Sequence, residues 1–290
     1  MLKSTQRRLF TSLSICLFLL FVTACSSIIS STTNKMADNL SYTILNSDDP
    51  ETVSDGAPAY LLLMDSFLLD SKNDPQLLLS AATLSSAYSS IFVTDQKRAK
   101  KMSSKALSYT EQALCFTKSR LCDIRDKDFD SFSRQVELIN KDSIHLWYVF
   151  GSTWAGWIKA NNGSMSAIAE LPKVTLIMSR IIAVDETWQN GQAHLYMGVL
   201  KTLLPPALGG KPEQGRYHFE RAIKLSDGKN LMAKVLFAEK YARLIFNQEL
   251  HDQLLNDVIQ ADPYYENLTL MNILAQDKAQ QLLSSSAEYF

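Results

Sequence analysis

Histidine is scarce in this chain. The four present are His145, His194, His218 and His251, and no two lie three or four residues apart, so none of them can form a zinc site built on one helix face. A phosphate-binding loop is also missing: Leu204-Pro205-Pro206-Ala207-Leu208-Gly209-Gly210-Lys211 has glycines and a lysine, but neither the following hydroxyl residue nor a preceding strand. These residues predict instead a rigid connection, in which prolines stop one helix and glycines allow a sharp turn into the next. No stretch of two-residue apolar alternation bounded by turn signals occurs, which argues against a sheet. Nor do the scattered serines stand near a base and an orienting group in sequence, so no catalytic constellation, metal site or cofactor is predicted.

Long apolar runs are limited to one. Leu9 to Val22 is an apolar stretch preceded by Lys3, Arg7 and Arg8, too short for the roughly 20 residues a spanning helix needs. Val22-Thr23-Ala24-Cys25 follows it, a branched residue, two small ones and a cysteine, which matches a lipobox. Residues 1–24 are therefore read as a lipoprotein signal peptide and Cys25 as the lipid attachment site; the alternative is an ordinary signal peptide with an incidental cysteine. Several acyl chains, at about 0.8 kcal/mol per buried methylene, would hold the protein to a bacterial membrane, facing the periplasm, without spanning it. Ser26, rather than an aspartate, follows the cysteine and points to the outer membrane.

Basic residues are not in excess. Taking Lys3, Arg7 and Arg8 from the 29 Lys and Arg leaves 26 against 30 Asp and Glu, a net charge near −4 that predicts no attraction to nucleic acid. Of four cysteines, Cys16 leaves with the signal and Cys25 is acylated, so Cys115 and Cys122 remain. Outside the cytoplasm such a pair forms a disulfide; a metal or redox site is the alternative, but the spacing is not that of a redox motif.

What the sequence has in abundance is helical period. Ser26 to Lys35 is polar and reads as a flexible tether, residues 25–35 in all, and residues 36–290 as one all-helical domain. Helices are expected at 36–46, 51–70, 75–91, 95–116, 127–138, 141–160, 173–184, 187–203, 212–225, 229–246, 248–260 and 264–285. Asp49-Pro50-Glu51 and Asp74-Pro75 supply start signals. A small residue three positions before an aromatic recurs at Ser85/Tyr88, Gly151/Trp154, Ala193/Tyr196 and Ala238/Tyr241, while Gly215, Phe219 and Ala222 give a small, bulky, small pattern. These features predict an array of helical hairpins with cryptic tetratricopeptide-like repeats of irregular spacing. On the helix at 141–160, Trp147, Phe150, Trp154 and Trp157 share one face, either as core or, in part, as the lining of an apolar ligand path.

The sequence resembles the T component lipoproteins associated with TRAP transporters, the TatT family. Pro206-Ala207-Leu208-Gly209-Gly210-Lys211-Pro212-Glu213 carries the resemblance most specifically, with His218-Phe219-Glu220-Arg221-Ala222, Asn230-Leu231, Leu250-His251, Ala261-Asp262-Pro263, Asn272-Ile273-Leu274-Ala275-Gln276 and Tyr289-Phe290. Upstream, Asp49-Pro50-Glu51-Thr52-Val53, Ala57-Pro58-Ala59-Tyr60 and the Cys115/Cys122 pair also match. The resemblance implies a non-enzymatic role and a homotrimer with apolar-lined openings. It further implies, as partner, the periplasmic solute-binding protein of a TRAP system, with a hydrophobic or carboxylate ligand passed between them. The rival expectation is an outer-membrane scaffold lipoprotein that uses its helices only to bind other envelope proteins.

Overall fold

The computed structural model describes residues 39–290; the expected signal peptide at 1–24, the expected lipid site Cys25 and the expected tether at 25–35 lie outside the described residues. Among the described residues every regular element is helical. After α1 (39–45) come α2 (Pro50–Asp70), α3 (Pro75–Phe92), α4 (Gln96–Thr117), α5 (Phe129–Val136), α6 (Ile144–Ala160), α7 (Met165–Ile168) and α8 (Leu171–Val184). Then follow α9 (Gln192–Thr202), α10 (Pro212–Leu225), α11 (Leu231–Leu236), α12 (Gln248–Gln260), α13 (Thr269–Ser284) and α14 (Ser286–Tyr289). The all-α expectation holds. None of the helices described is long and apolar enough to cross a membrane.

The helix starts have local causes. Asp49 accepts from the backbone N–H of Thr52 at 3.0 Å, and Asp74 from those of Gln76 and Leu77 at 2.9 and 3.2 Å, each ahead of a proline in the first turn. Asp95 and Asp128 cap α4 and α5 in the same way. Most expected helices lie within three residues of the observed bounds, and three differ more in extent or form. The one expected from 187 becomes regular only at Gln192, because Gln189 and Asn190 adopt left-handed backbone at φ 46° and 54°. The one expected from 264 begins at Thr269, after Asn267 at φ 62°. The one expected at 229–246 is α11 followed by a π-helical turn, Phe237–Ala242, in which Arg243 N–H reaches the Ala238 carbonyl at 3.2 Å.

Consecutive helices pack as hairpins, α3 with α4, α9 with α10 and α12 with α13. They bury three apolar clusters. The largest joins α4, α5, α6 and α8 around Phe132, Phe150 and Trp154; a second surrounds Phe219, Phe237 and Leu255; a smaller one lies between α2, α3 and α4. Contacts run from α2 to α3, α3 to α6, α6 to α9 through Tyr148 and Tyr196, α9 to the π turn, α11 to α13, and α13 back to α2. These contacts close a ring of six helical segments.

Candidate functional site

α6 has two working faces. Trp147, Phe150 and Trp154 point into the largest core cluster and are 3 %, 0 % and 0 % exposed. Phe132 meets Trp154 edge to face at 5.9 Å between centroids, and Phe150 lies 5.0 Å from Trp154. The Trp154 indole N–H donates to Glu170, so its one polar atom is satisfied inside the core. Packing therefore accounts for these three rings without a ligand. Trp157 differs: it is part-exposed, its indole N–H donates to Ser104 Oγ at 3.2 Å, and the Arg125 guanidinium covers its ring at 4.2 Å.

Arg125 is itself fixed by both ends of the surrounding structure. It makes two parallel hydrogen bonds to Glu170, at 2.8 and 3.0 Å, and stands 3.5 Å from Glu111. Burial pushes the Glu111 carboxyl above its ordinary range, even with Arg125 beside it. The bonded pair Cys115 and Cys122, with Cα atoms 4.2 Å apart, ties the end of α4 to the short turn that carries Arg125.

The second face of α6 is spaced at offsets of four, seven and eleven: Tyr148, Ser152, Ala155 and Lys159. Tyr148, Ser152 and Ala155 are part-buried and Lys159 is exposed. At one end Tyr148 meets Tyr196 of α9 edge to face at 5.8 Å and Trp188 at 4.6 Å. Burial holds both phenols above the usual range, so they remain neutral donors. At the other end, about 16 Å along the helix at 1.5 Å per residue, Lys159 faces the π turn and α13. There Lys278 Nζ stands 3.0 Å from Glu239 Oε1 and Lys240 Nζ 3.4 Å from the same atom. Burial alone would raise the Glu239 carboxyl, but Lys240 and Lys278 together hold it below its ordinary value. Lys159 reaches water, yet its ammonium is held below the lysine range, first by burial and then by Lys278 and Lys240. This face of α6 thus runs from an aromatic end to a cationic one.

Two polar clusters were not legible from sequence spacing. His194 of α9 and His218 of α10 lie 24 residues apart yet bring their Nδ1 atoms within 2.9 Å, so at most one proton can occupy that contact. His194 Nε2 faces Glu186 at 3.5 Å, and Glu186 pairs with Arg221. Burial, then His194 and Lys201, push His218 down to about 4. Because the unfolded imidazole titrates near 6.5, it binds more protons than the folded one between pH 6.5 and about 4. Stability should therefore be complete above that window and fall as the pH drops through it. Urea unfolding at pH 7.5, 6 and 5 measures this, and His218→Gln should flatten that part of the curve.

At the C-terminus, Ser286, Asp252 and His251 meet, but not in the order nucleophilic catalysis requires. Ser286 Oγ donates to Asp252 Oδ1 at 2.6 Å and His251 Nδ1 lies 2.7 Å from the same oxygen, while His251 Nε2 accepts from Arg243 at 3.2 Å. The hydroxyl is thus directed at the carboxylate and not at the imidazole. The arrangement pins α14 to α12, with Arg243 also stacked on Tyr289 at 4.4 Å.

Among known proteins, the family described as TRAP transporter T-component has a sequence profile that matches residues 46–290 of this chain. No curated protein matches it.

Proposed function

The chain belongs to the TRAP transporter T-component family, and from that premise we propose that it is a non-enzymatic, periplasm-facing lipoprotein that hands a ligand to or from a solute-binding protein. Cys25 carries the lipid, and the anchor keeps the helical body at the membrane surface. The body assembles as a homotrimer, docks the periplasmic solute-binding protein of its TRAP system, and offers a hydrophobic or carboxylate ligand a path through its ring of helices. The family match over residues 46–290 is the observation that carries this reading. The part-buried rings of Tyr148, Tyr196 and Trp188 where α6 meets α9 support it, because aromatic walls with a few polar groups suit an organic ligand. Within the stripe of α6, Trp157 is the ring still within reach of a ligand.

The test uses the mature, lipid-bearing chain and the solute-binding protein of the same TRAP system. Native mass measurement should give a trimer, and the immobilised chain should retain that solute-binding protein. A monomer at all concentrations that retains none of it would overturn the transport reading in favour of a scaffold that binds other envelope proteins.

A further inference from the structure

We propose that the end of the molecule formed by α1 and the loop at 262–267 lies on the membrane surface, with Tyr42, Leu45 and Tyr264 seated among zwitterionic lipid headgroups. This rests on Cys25 being the lipid site, and adds to it which face of the body meets the bilayer and which lipids suit it. Tyr42 and Leu45 stand three residues apart on α1 and so share a face, 53 % and 37 % exposed. Tyr264 is 60 % exposed. The two segments are held together by Asn46, in the turn that ends α1: its Nδ2 donates to the Tyr42 carbonyl at 2.8 Å, and its Oδ1 accepts from the Asn267 N–H at 2.8 Å. Tyr264 N–H donates to Asp262 Oδ1 at 2.9 Å, which sets the loop, while the neighbouring Tyr265 is part-buried with the Lys229 ammonium 5.8 Å from its ring centre. Exposed apolar side chains scattered singly are ordinary. Here three occur on two joined segments, at the end of the body from which the chain runs to Cys25. α1 also precedes the residues that the family profile matches, so the feature is this chain's own.

The length of chain between anchor and body limits which side can reach the bilayer. Thirteen residues, Ser26 to Asp38, separate Cys25 from α1. Fully extended, they span at most about 50 Å. A compact body of this size has a radius of about 23 Å, so with α1 on the far side the chain would have to run over the surface and down, about 60 Å. Reach therefore excludes the far side, and the three apolar side chains favour the α1 end over the flanks. Tyrosine suits that place, since its ring packs against acyl carbons while its hydroxyl stays among headgroups. Charge then selects the lipid. Asp48, Asp49 and Glu51 follow α1 directly, and Asp262 and Glu266 flank Tyr264, with the Lys229 ammonium beside Tyr265. These carboxylates repel an anionic leaflet over a Debye length of about 8–10 Å, a penalty that a zwitterionic surface does not impose.

The experiment places an environment-sensitive NBD label on the mature, lipid-bearing chain. Cys115 and Cys122 are bonded, so with Cys25 acylated, Tyr42→Cys and Tyr264→Cys each add the single thiol to be labelled. Tyr217→Cys, a similarly exposed site on α10, is the reference. Circular dichroism of the labelled variants should match the parent, because all three side chains are exposed. On vesicles of phosphatidylethanolamine and phosphatidylcholine, the labels at 42 and 264 should emit at shorter wavelength than the one at 217 and be quenched by nitroxide-bearing headgroups. Replacing part of the phosphatidylethanolamine with phosphatidylglycerol at low salt should diminish the shift, and added salt should restore it. Aqueous emission at both positions in a chain whose Cys25 carries acyl mass would overturn the inference and leave the anchor standing. Equal shifts at all three positions would overturn it as well. A shift that grows with phosphatidylglycerol would overturn the choice of lipid. A Cys25 without acyl mass would remove the anchor, and this inference with it.

Discussion

Trp154→Ala is expected to lower the stability of the domain by about 3–5 kcal/mol, the range for emptying a fully buried tryptophan site. For a chain of this size that is on the order of 10 °C in melting temperature. Trp154 is wholly buried, contacts Phe132 and Phe150, and donates its indole N–H to the carboxylate that also pairs with Arg125. Its removal opens a cavity and leaves Glu170 short of one donor. Trp157→Ala should cost far less, about 1–2 kcal/mol, because its ring is part-exposed and its main contact is the Arg125 guanidinium. Urea unfolding of both variants, followed by circular dichroism, separates them. A Trp154→Ala protein that melts like the parent but loses ligand binding would show that the ring lines the path after all.

Gly210→Ala should be the more disruptive of two neighbouring glycine changes, at about 3 kcal/mol or more. A Cβ placed on Gly210 would fall 1.7 Å from the Leu204 carbonyl oxygen, and backbone has to move to admit it. The turn is held tightly: Gly210 N–H reaches the Pro205 carbonyl at 3.1 Å and Lys211 N–H the Lys201 carbonyl at 2.9 Å. Gly209 stands at φ 89° with open space where its Cβ would go, so Gly209→Ala carries only the left-handed penalty of about 1–2 kcal/mol. Thermal melts of the two single variants check the order. A Gly210→Ala protein as stable as Gly209→Ala would mean that this turn yields freely.

That turn shows how far local sequence goes. The prolines and glycines of Leu204 to Lys211 announced a rigid connection without any partner being known, since proline removes a helix donor and glycine alone reaches left-handed backbone without strain. The caps at Asp49 and Asp74 were equally local, as was the apolar period that made the domain all-helical. The stripe of Trp147, Phe150, Trp154 and Trp157 was also visible, but period alone states only that residues share a face. Whether that face meets other helices or a ligand depends on what packs against it, and Phe132, Ile177 and Met178 come from other elements. The opposite stripe, Tyr148, Ser152, Ala155 and Lys159, was present at the same helical spacing. Its mixed chemistry concealed it beside four large aromatic rings.

The sequence by itself determined the helical class, most helix starts, the shape of the α9–α10 turn and, through whole-chain resemblance, the family that the profile match established. These properties depend on residues within one or two turns of each other, or on the pattern of the entire chain. Tertiary structure alone decided that His194 meets His218, that Trp154 meets Glu170 in the core, and that Lys278 meets Glu239. Each of these joins positions 16 to 39 residues apart along the chain. Such distances are closed only when the hairpins stack and their ring returns from α13 to α2.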